Sequence, residues 1–211
     1  ITASDVIYDA ILAFKQHQEG RVVIALFGDV AASGAYYIAM AADYILAHPT
    51  TITGSIGVLM QSINAHELAM KIGIQDVTIK SGPNKDLLNP LAPTNAAQTA
   101  ILQDLVNGMY VRFVNLVADR RDLPVETVRT LADGRVFAAD QAAAVGLIDG
   151  IGYWSDAVNQ AAEWLNTDAV KVYRYEPSFS FSSFLRAARP QNPLSAWLRT
   201  RDDTRLMYLW N

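Results

Sequence analysis

The run RVVIALF, residues 21–27, constrains the fold most: after Arg21 it is apolar without interruption. A strand with one wet face alternates apolar and polar residues, whereas an unbroken apolar run is covered on both faces, as in parallel sheets flanked by helices. Directly after it, GDVAASGAYYIAM (residues 28–40) pares its side chains back to Ala and Gly around Ser33, then turns helical through YYIAMAA. A second short apolar strand, YILA, follows at 44–47. Strand, helix and strand in this order predict α/β architecture with right-handed crossovers.

The alternation continues along the chain. Upstream, Ser4 can cap a helix whose apolar positions Val6, Ile7, Ala10, Ile11 and Phe14 follow the three-and-four spacing, with Gly20 as its stop. Downstream come the turn-rich HPTTITGS, an apolar IGVLM, a helix capped by Asn64 through ELAMKIG, and a strand QDVTIK. Thr94 to Arg121 keeps a helical register with Ile101, Leu105, Tyr110, Phe113, Leu116 and Val117 available to pack, and Gly108 as a weak point. Pro124 suits the first turn of a helix VETVRTLA, Asp140 to Val145 reads as another, and the last core elements are a helix around 154–165 and a strand AVKVYRY.

Beyond Glu176 the character changes. Residues 176–211 carry five arginines against three acids, and six aromatics, so this tail is +2 while the remainder of the chain is −6. The tail is read as a separate segment that needs a surface to cover: its own domain, a neighbouring protomer or a membrane face.

With 211 residues, 51% of them hydrophobic, the chain is long enough to bury a sizeable core. An acidic balance without a basic face argues against nucleic-acid binding. Cysteine is absent, which excludes disulfides, thiolate metal sites and a cysteine nucleophile. No apolar run approaches the roughly 18 residues of a membrane span, and no signal peptide with a basic start is present. The chain opens already in helical register, so a mature or truncated piece of something longer is expected.

Ser33 has two readings. A serine between strand and helix is ordinarily an N-cap. The same junction also places a hydroxyl beside unpaired backbone N–H groups and the positive end of a helix dipole, which suits stabilisation of developing negative charge. Ala31 and Ala35 stand where a G-x-S-x-G elbow would have glycines, which disfavours an α/β-hydrolase. His17, His48 and His66 read as surface residues and lack the pairing of a zinc site. A lysine can replace histidine as the base if burial removes its charge: at an ordinary pKa near 10.4, only about one lysine in 2,500 is neutral at pH 7. Lys15 and Lys71 read as solvated helix positions, while Lys80 and Lys85 flank the loop SGPN after a strand. In a parallel sheet such a loop and the Ser33 turn reach the same carboxyl edge, which makes Lys85 a candidate base.

The segment DVAASGAYYIAMAADYILAHPTTITGSIGV, followed by IKSGPNKDLLNP and LADGRVFAADQAAAVGLIDGIG, resembles the signal peptide peptidase A family, the S49 serine peptidases, over about residues 1–175. The resemblance implies a crotonase- or Clp-protease-like fold with a largely parallel sheet, flanking helices and a helical extension. It makes 1–175 the catalytic domain and 176–211 a C-terminal tail. It also makes Ser33 the nucleophile, Lys85 the general base, Ser55 the serine that positions the lysine, and the Gly34 N–H an oxyanion donor, with no metal or cofactor.

In this family the other oxyanion donor comes from a glycine-rich N-S-P-G-G loop before the first helix, so that loop is expected ahead of Ile1. Serine and lysine in one domain, 52 residues apart, are similar to the short members, which associate as homo-oligomers. The implied function is cleavage of hydrophobic peptides such as cleaved signal peptides, at the extracytoplasmic face of a bacterial membrane and anchored by a segment outside this chain. A phage-type capsid-maturation protease and a non-catalytic scaffold of the same fold are the alternatives.

Overall fold

A computed structural model describes residues 1–168 and 170–173. The chain begins with helix α1 (Thr2–Gln16), then strands β1 (Ile24–Phe27) and β2 (Val30–Ala32), helix α2 (Gly34–Ala39), and strands β3 (Tyr44–Ala47) and β4 (Ile52–Gly54). Helices α3 (His66–Lys71), α4 (Ala96–Arg121) and α5 (Val125–Leu131) follow, and the order closes with β5 (Val136–Ala138), α6 (Ala139–Ala144), β6 (Gly150–Ile151) and α7 (Trp154–Trp164). Among the described residues the strands form two three-stranded sheets, one parallel in the order β1-β3-β6, the other in the order β2-β4-β5 with β2 parallel and β5 antiparallel to β4. The α/β architecture expected from the apolar runs, with parallel pairing and flanking helices, is therefore present.

The two sheets meet where β1 passes into β2. Only Gly28 and Asp29 separate those strands, and the Thr51 hydroxyl donates to the Gly28 carbonyl across the bend. The chain thus turns one nearly continuous strand from one sheet into the other and delivers Ser33 at its end.

Helix α2 is the hub of the core. Tyr36 and Tyr37 on it are buried, as are Phe113, Val114 and Val117 of α4, Ile45 of β3 and Leu147. Tyr36 meets Phe27 edge-on, and Tyr37 lies between Tyr8 and Phe113. Burying each such aromatic contributes about 2 kcal/mol or more, so α2 is among the most firmly held elements despite its six residues. Polar ties complete the fit: the Tyr36 hydroxyl donates to the Leu147 carbonyl at 2.7 Å, and Arg120 Nε donates to the Met40 carbonyl at the helix end.

Several local expectations are corrected. Helix α1 starts at Thr2, before Ser4, so Ser4 does not cap it. Its inward face is Asp5, Tyr8, Ile11, Leu12 and Lys15, and the Val6, Ile7 and Phe14 stripe faces out. QDVTIK forms no strand: none of its backbone groups finds a ladder partner among the described residues, and Val77 and Ile79 are 83% and 97% exposed. Helix α4 begins at Ala96 under an Asn95 cap, runs through Gly108 unbroken, and packs only its second half; Ile101 and Leu105 stay exposed. Residues 170–173 are not a strand either; the rest of AVKVYRY and the 176–211 tail lie outside the described residues.

Candidate active site

Ser33 follows β2 and precedes α2, with φ 55° and ψ −113°. This positive φ is foreign to an N-cap, which is normally extended, and the side chain makes no capping hydrogen bond. A non-glycine residue there costs about 1–3 kcal/mol and persists only where its surroundings dictate it. Those surroundings are plain: the Ser33 N–H donates to the Gly54 carbonyl at 2.7 Å, the Ser33 carbonyl accepts from Tyr37 N–H at 2.9 Å, and Tyr36 and Tyr37 lock the helix beneath. The residue is only 3% exposed, yet its hydroxyl has no hydrogen-bond partner among the described residues. G-x-S-x-G is missing, but the sharp strand-to-helix turn which that motif serves is made here with alanines.

Gly34 is the first residue of α2, so its N–H precedes the helical ladder and has no internal acceptor. No Cβ stands between that donor and an approaching oxygen.

Ser55 is brought alongside. In the parallel pairing of β2 with β4, Ala32 stands opposite Gly54, so the next residues out along the two strands are Ser33 and Ser55. Ser55 also has a positive φ, 51°, and its N–H donates to the Arg135 carbonyl at 2.8 Å. Gly54 before it is irreplaceable on two counts: its φ is +83°, and a Cβ would fall 2.6 Å from Phe137 Cδ2. Two serines with uncommitted hydroxyls therefore share the carboxyl edge of one parallel strand pair.

Lys85 is not joined to them. It lies exposed in the irregular segment after α3, and its ammonium makes no hydrogen bond or ion pair among the described residues. The dry surroundings that a neutral lysine requires are not provided around it here. Lys80, the other lysine of that loop, is committed: its Nζ contacts both carboxylate oxygens of Asp86 at 2.7 Å. The three histidines lie elsewhere, with His48 bonded to Thr50 and His66 to the Leu91 carbonyl. Among the described residues no group of His, Asp or Glu could hold a metal ion.

One set of residues gave no signal in the sequence. Asp5 of α1 accepts from the Tyr37 hydroxyl and from Arg112 of α4, both at 2.6 Å, and Arg112 Nε reaches the Tyr37 hydroxyl at 3.2 Å. Hydrogen bonds, first from Arg112 and then from Tyr37, hold the Asp5 carboxyl below the usual carboxylate range. This trio fastens α2 between two helices. In the sequence, Tyr37 reads only as a core aromatic, because its partners lie 32 and 75 residues away.

What the α/β fold presents here is a strained serine at a parallel-sheet edge, next to a helix N–H with no acceptor among the described residues. Comparison with known proteins gives the family. The model of Peptidase family S49 matches residues 15–168. The Synechocystis sp. protein named "Putative protease slr0021" is 43% identical over 158 residues, covering 75% of this chain and 57% of its own length. The Enterococcus faecium "Putative signal peptide peptidase SppA" is 38% identical over 162 residues, covering 76% and 47%, and "Protease 4" of Salmonella typhi is 34% identical over 199 residues, covering 90% and 32%. The chain thus spans about half, or less, of the length of these relatives. A ClpP1 mutant from Listeria monocytogenes aligns with a TM-score of 0.45 at 18% identity, over 74% of this chain and 68% of that one. The chain belongs to peptidase family S49 and is similar to its signal peptide peptidase A members.

Proposed function

We propose that the protein is a serine endopeptidase working through a Ser33–Lys85 dyad. The observation that carries this reading is the strained, uncommitted Ser33 hydroxyl beside the Gly34 N–H. In the reaction, Ser33 Oγ attacks the carbonyl carbon of a peptide bond and its proton passes to neutral Lys85 Nζ. The resulting oxyanion is held by the Gly34 N–H. Collapse breaks the C–N bond, Lys85 returns the proton to the leaving amine, and an acyl-Ser33 remains. Water then gives a proton to Lys85 and attacks the ester, releasing the acid and restoring the serine. Ser55, one register step across from Ser33, receives Lys85 by hydrogen bond when the lysine enters the site.

Lys85 rather than Lys80 is assigned the base because Lys80 is engaged by Asp86. In this reading Lys85 leaves solvent and packs against the two serines and a bound substrate. Small residues at Ala31, Ala32 and Gly34 leave room for a substrate backbone; the Enterococcus faecium relative is named a signal peptide peptidase, and hydrophobic peptides such as cleaved signal peptides are the substrates proposed here. Association as a homo-oligomer at the extracytoplasmic side of a bacterial membrane, through a segment outside this chain, belongs to the same proposal. Among the described residues no helix is long and apolar enough to cross a membrane.

The test is turnover of a hydrophobic peptide by the full-length protein. Ser33→Ala and Lys85→Ala should each lower kcat by about 10⁴-fold or more while circular dichroism stays unchanged. Turnover near the wild-type value in Lys85→Ala would overturn the assignment of the base.

A further inference from the structure

Lys85 sits in a segment with neither helix nor strand, and side chains on both flanks give that segment its shape. The Lys80–Asp86 contact joins the residue before Ser81 to the residue after Lys85, closing SGPNK into a loop of five residues. From outside, Gln98 Nε2 in the first turn of α4 donates to the Pro83 carbonyl at 2.9 Å and stands 3.5 Å from Asp86 Oδ1. A second tie lies further along: Asn89 Nδ2 donates to Asp76 at 2.8 Å, and Asp76 also accepts from the Thr78 hydroxyl. The Asp86 side chain is 15% exposed and that of Lys80 35%, so their pair is partly sheltered from water. Of two lysines five residues apart, one closes the loop and the other is presented by it.

We infer that Lys80 and Asp86 are positioning residues: their ion pair closes the loop that presents Lys85, and so sets how readily the lysine, exposed in this structure, reaches Ser33. This rests on the base role proposed for Lys85. Proton transfer needs the amine within about 2.6–3.2 Å of the hydroxyl, and a misplacement of about 1 Å lowers rate on the order of 100-fold. Within the loop the backbone supplies one hydrogen bond, from the Lys85 N–H to the Gly82 carbonyl at 3.2 Å, and with Gly82 in it the chain keeps conformational freedom that such a distance does not tolerate. The Lys80–Asp86 pair narrows that freedom, and Gln98 ties the closed loop to α4. Neither residue touches a reacting atom in this scheme.

The experiment measures kcat and KM on a fluorogenic leucine-rich peptide, and the rate of Ser33 acylation by an alkyl fluorophosphonate, in the full-length protein. Asp86→Asn and Lys80→Met should each lower kcat and the acylation rate roughly 10- to 100-fold, with KM within about twofold. The double variant should be no slower than the slower single one, and Lys80→Arg should keep most of the activity, since it restores the ion pair. Wild-type kcat in Asp86→Asn, additive losses in the double variant, or Lys80→Arg as slow as Lys80→Met would each overturn the inference. If Asp86→Asn fails to fold, the Lys80→Arg and Lys80→Met comparison decides alone. Lys85→Ala separates the two levels. Wild-type acylation in that variant removes the base itself, whereas its loss alongside an unimpaired Asp86→Asn removes only the positioning.

Discussion

Ser33 holds a backbone conformation that a capping serine has no need of, and this strain is measurable. Ser33→Gly should be more stable than Ser33→Ala by about 1 kcal/mol in urea unfolding, since glycine alone adopts φ 55° freely, although neither variant should cleave peptide. Equal stability of the two would mean that the turn stores no strain. Gly54 is constrained in the opposite sense. Gly54→Ala should destabilise by about 3 kcal/mol, because the methyl group meets Phe137 and the Arg135 carbonyl at a positive φ; a midpoint shift in denaturant checks it. The Ser33 junction was legible from its residues, whereas Ser55 and the role of the Gly34 N–H came only through the family resemblance; the β2–β4 register is what places Ser55 beside Ser33. The surroundings of Lys85 were not legible, because they depend on a loop shaped by side chains and not on strand order.

At the level of elements, the apolar runs carried the most information. YILA is β3 to the residue, and the helices at 125–131, 139–144 and 154–164 fall where their patterns place them. The misreadings share a cause: periodicity shows that a segment could form an element, not that a partner is at hand. QDVTIK has the alternation of a strand and no neighbouring strand, and α1 has two apolar stripes of which the richer faces solvent. The buried tie from α2 to Leu147 invites its own test. Burial, before any other cause, pushes the Tyr36 phenol well above its ordinary value. The folded state therefore keeps this proton where the unfolded chain releases it near pH 10, so the contribution is complete below pH 10 and is lost as pH rises beyond it. Tyr36→Phe should cost about 1–2 kcal/mol at pH 7, by orphaning the Leu147 carbonyl, and should lose less stability than wild type between pH 9 and 11. Guanidinium melts at both pH values would show whether the alkaline slope flattens.

For the molecule as a whole, the acid side carries the opposite sign. Hydrogen bonds from Arg135 hold the Asp133 carboxyl at about 2, and Asp5 and Asp86 are lowered first by Arg112 and Lys80 respectively. Such groups favour the folded state above the ordinary carboxylate pKa near 4 and lose that contribution as pH falls through their own values. Thermal stability should hold a plateau from about pH 5 to 9 and decline on both sides. The proposed function reduces to one chemical claim, that Ser33 is a nucleophile activated by Lys85. Site mapping by mass spectrometry after fluorophosphonate treatment across pH tests it most directly. One adduct on Ser33 is expected, forming faster as pH rises and nearly absent in Lys85→Ala. An adduct on another residue, or Ser33 labelled at the wild-type rate without Lys85, would contradict it.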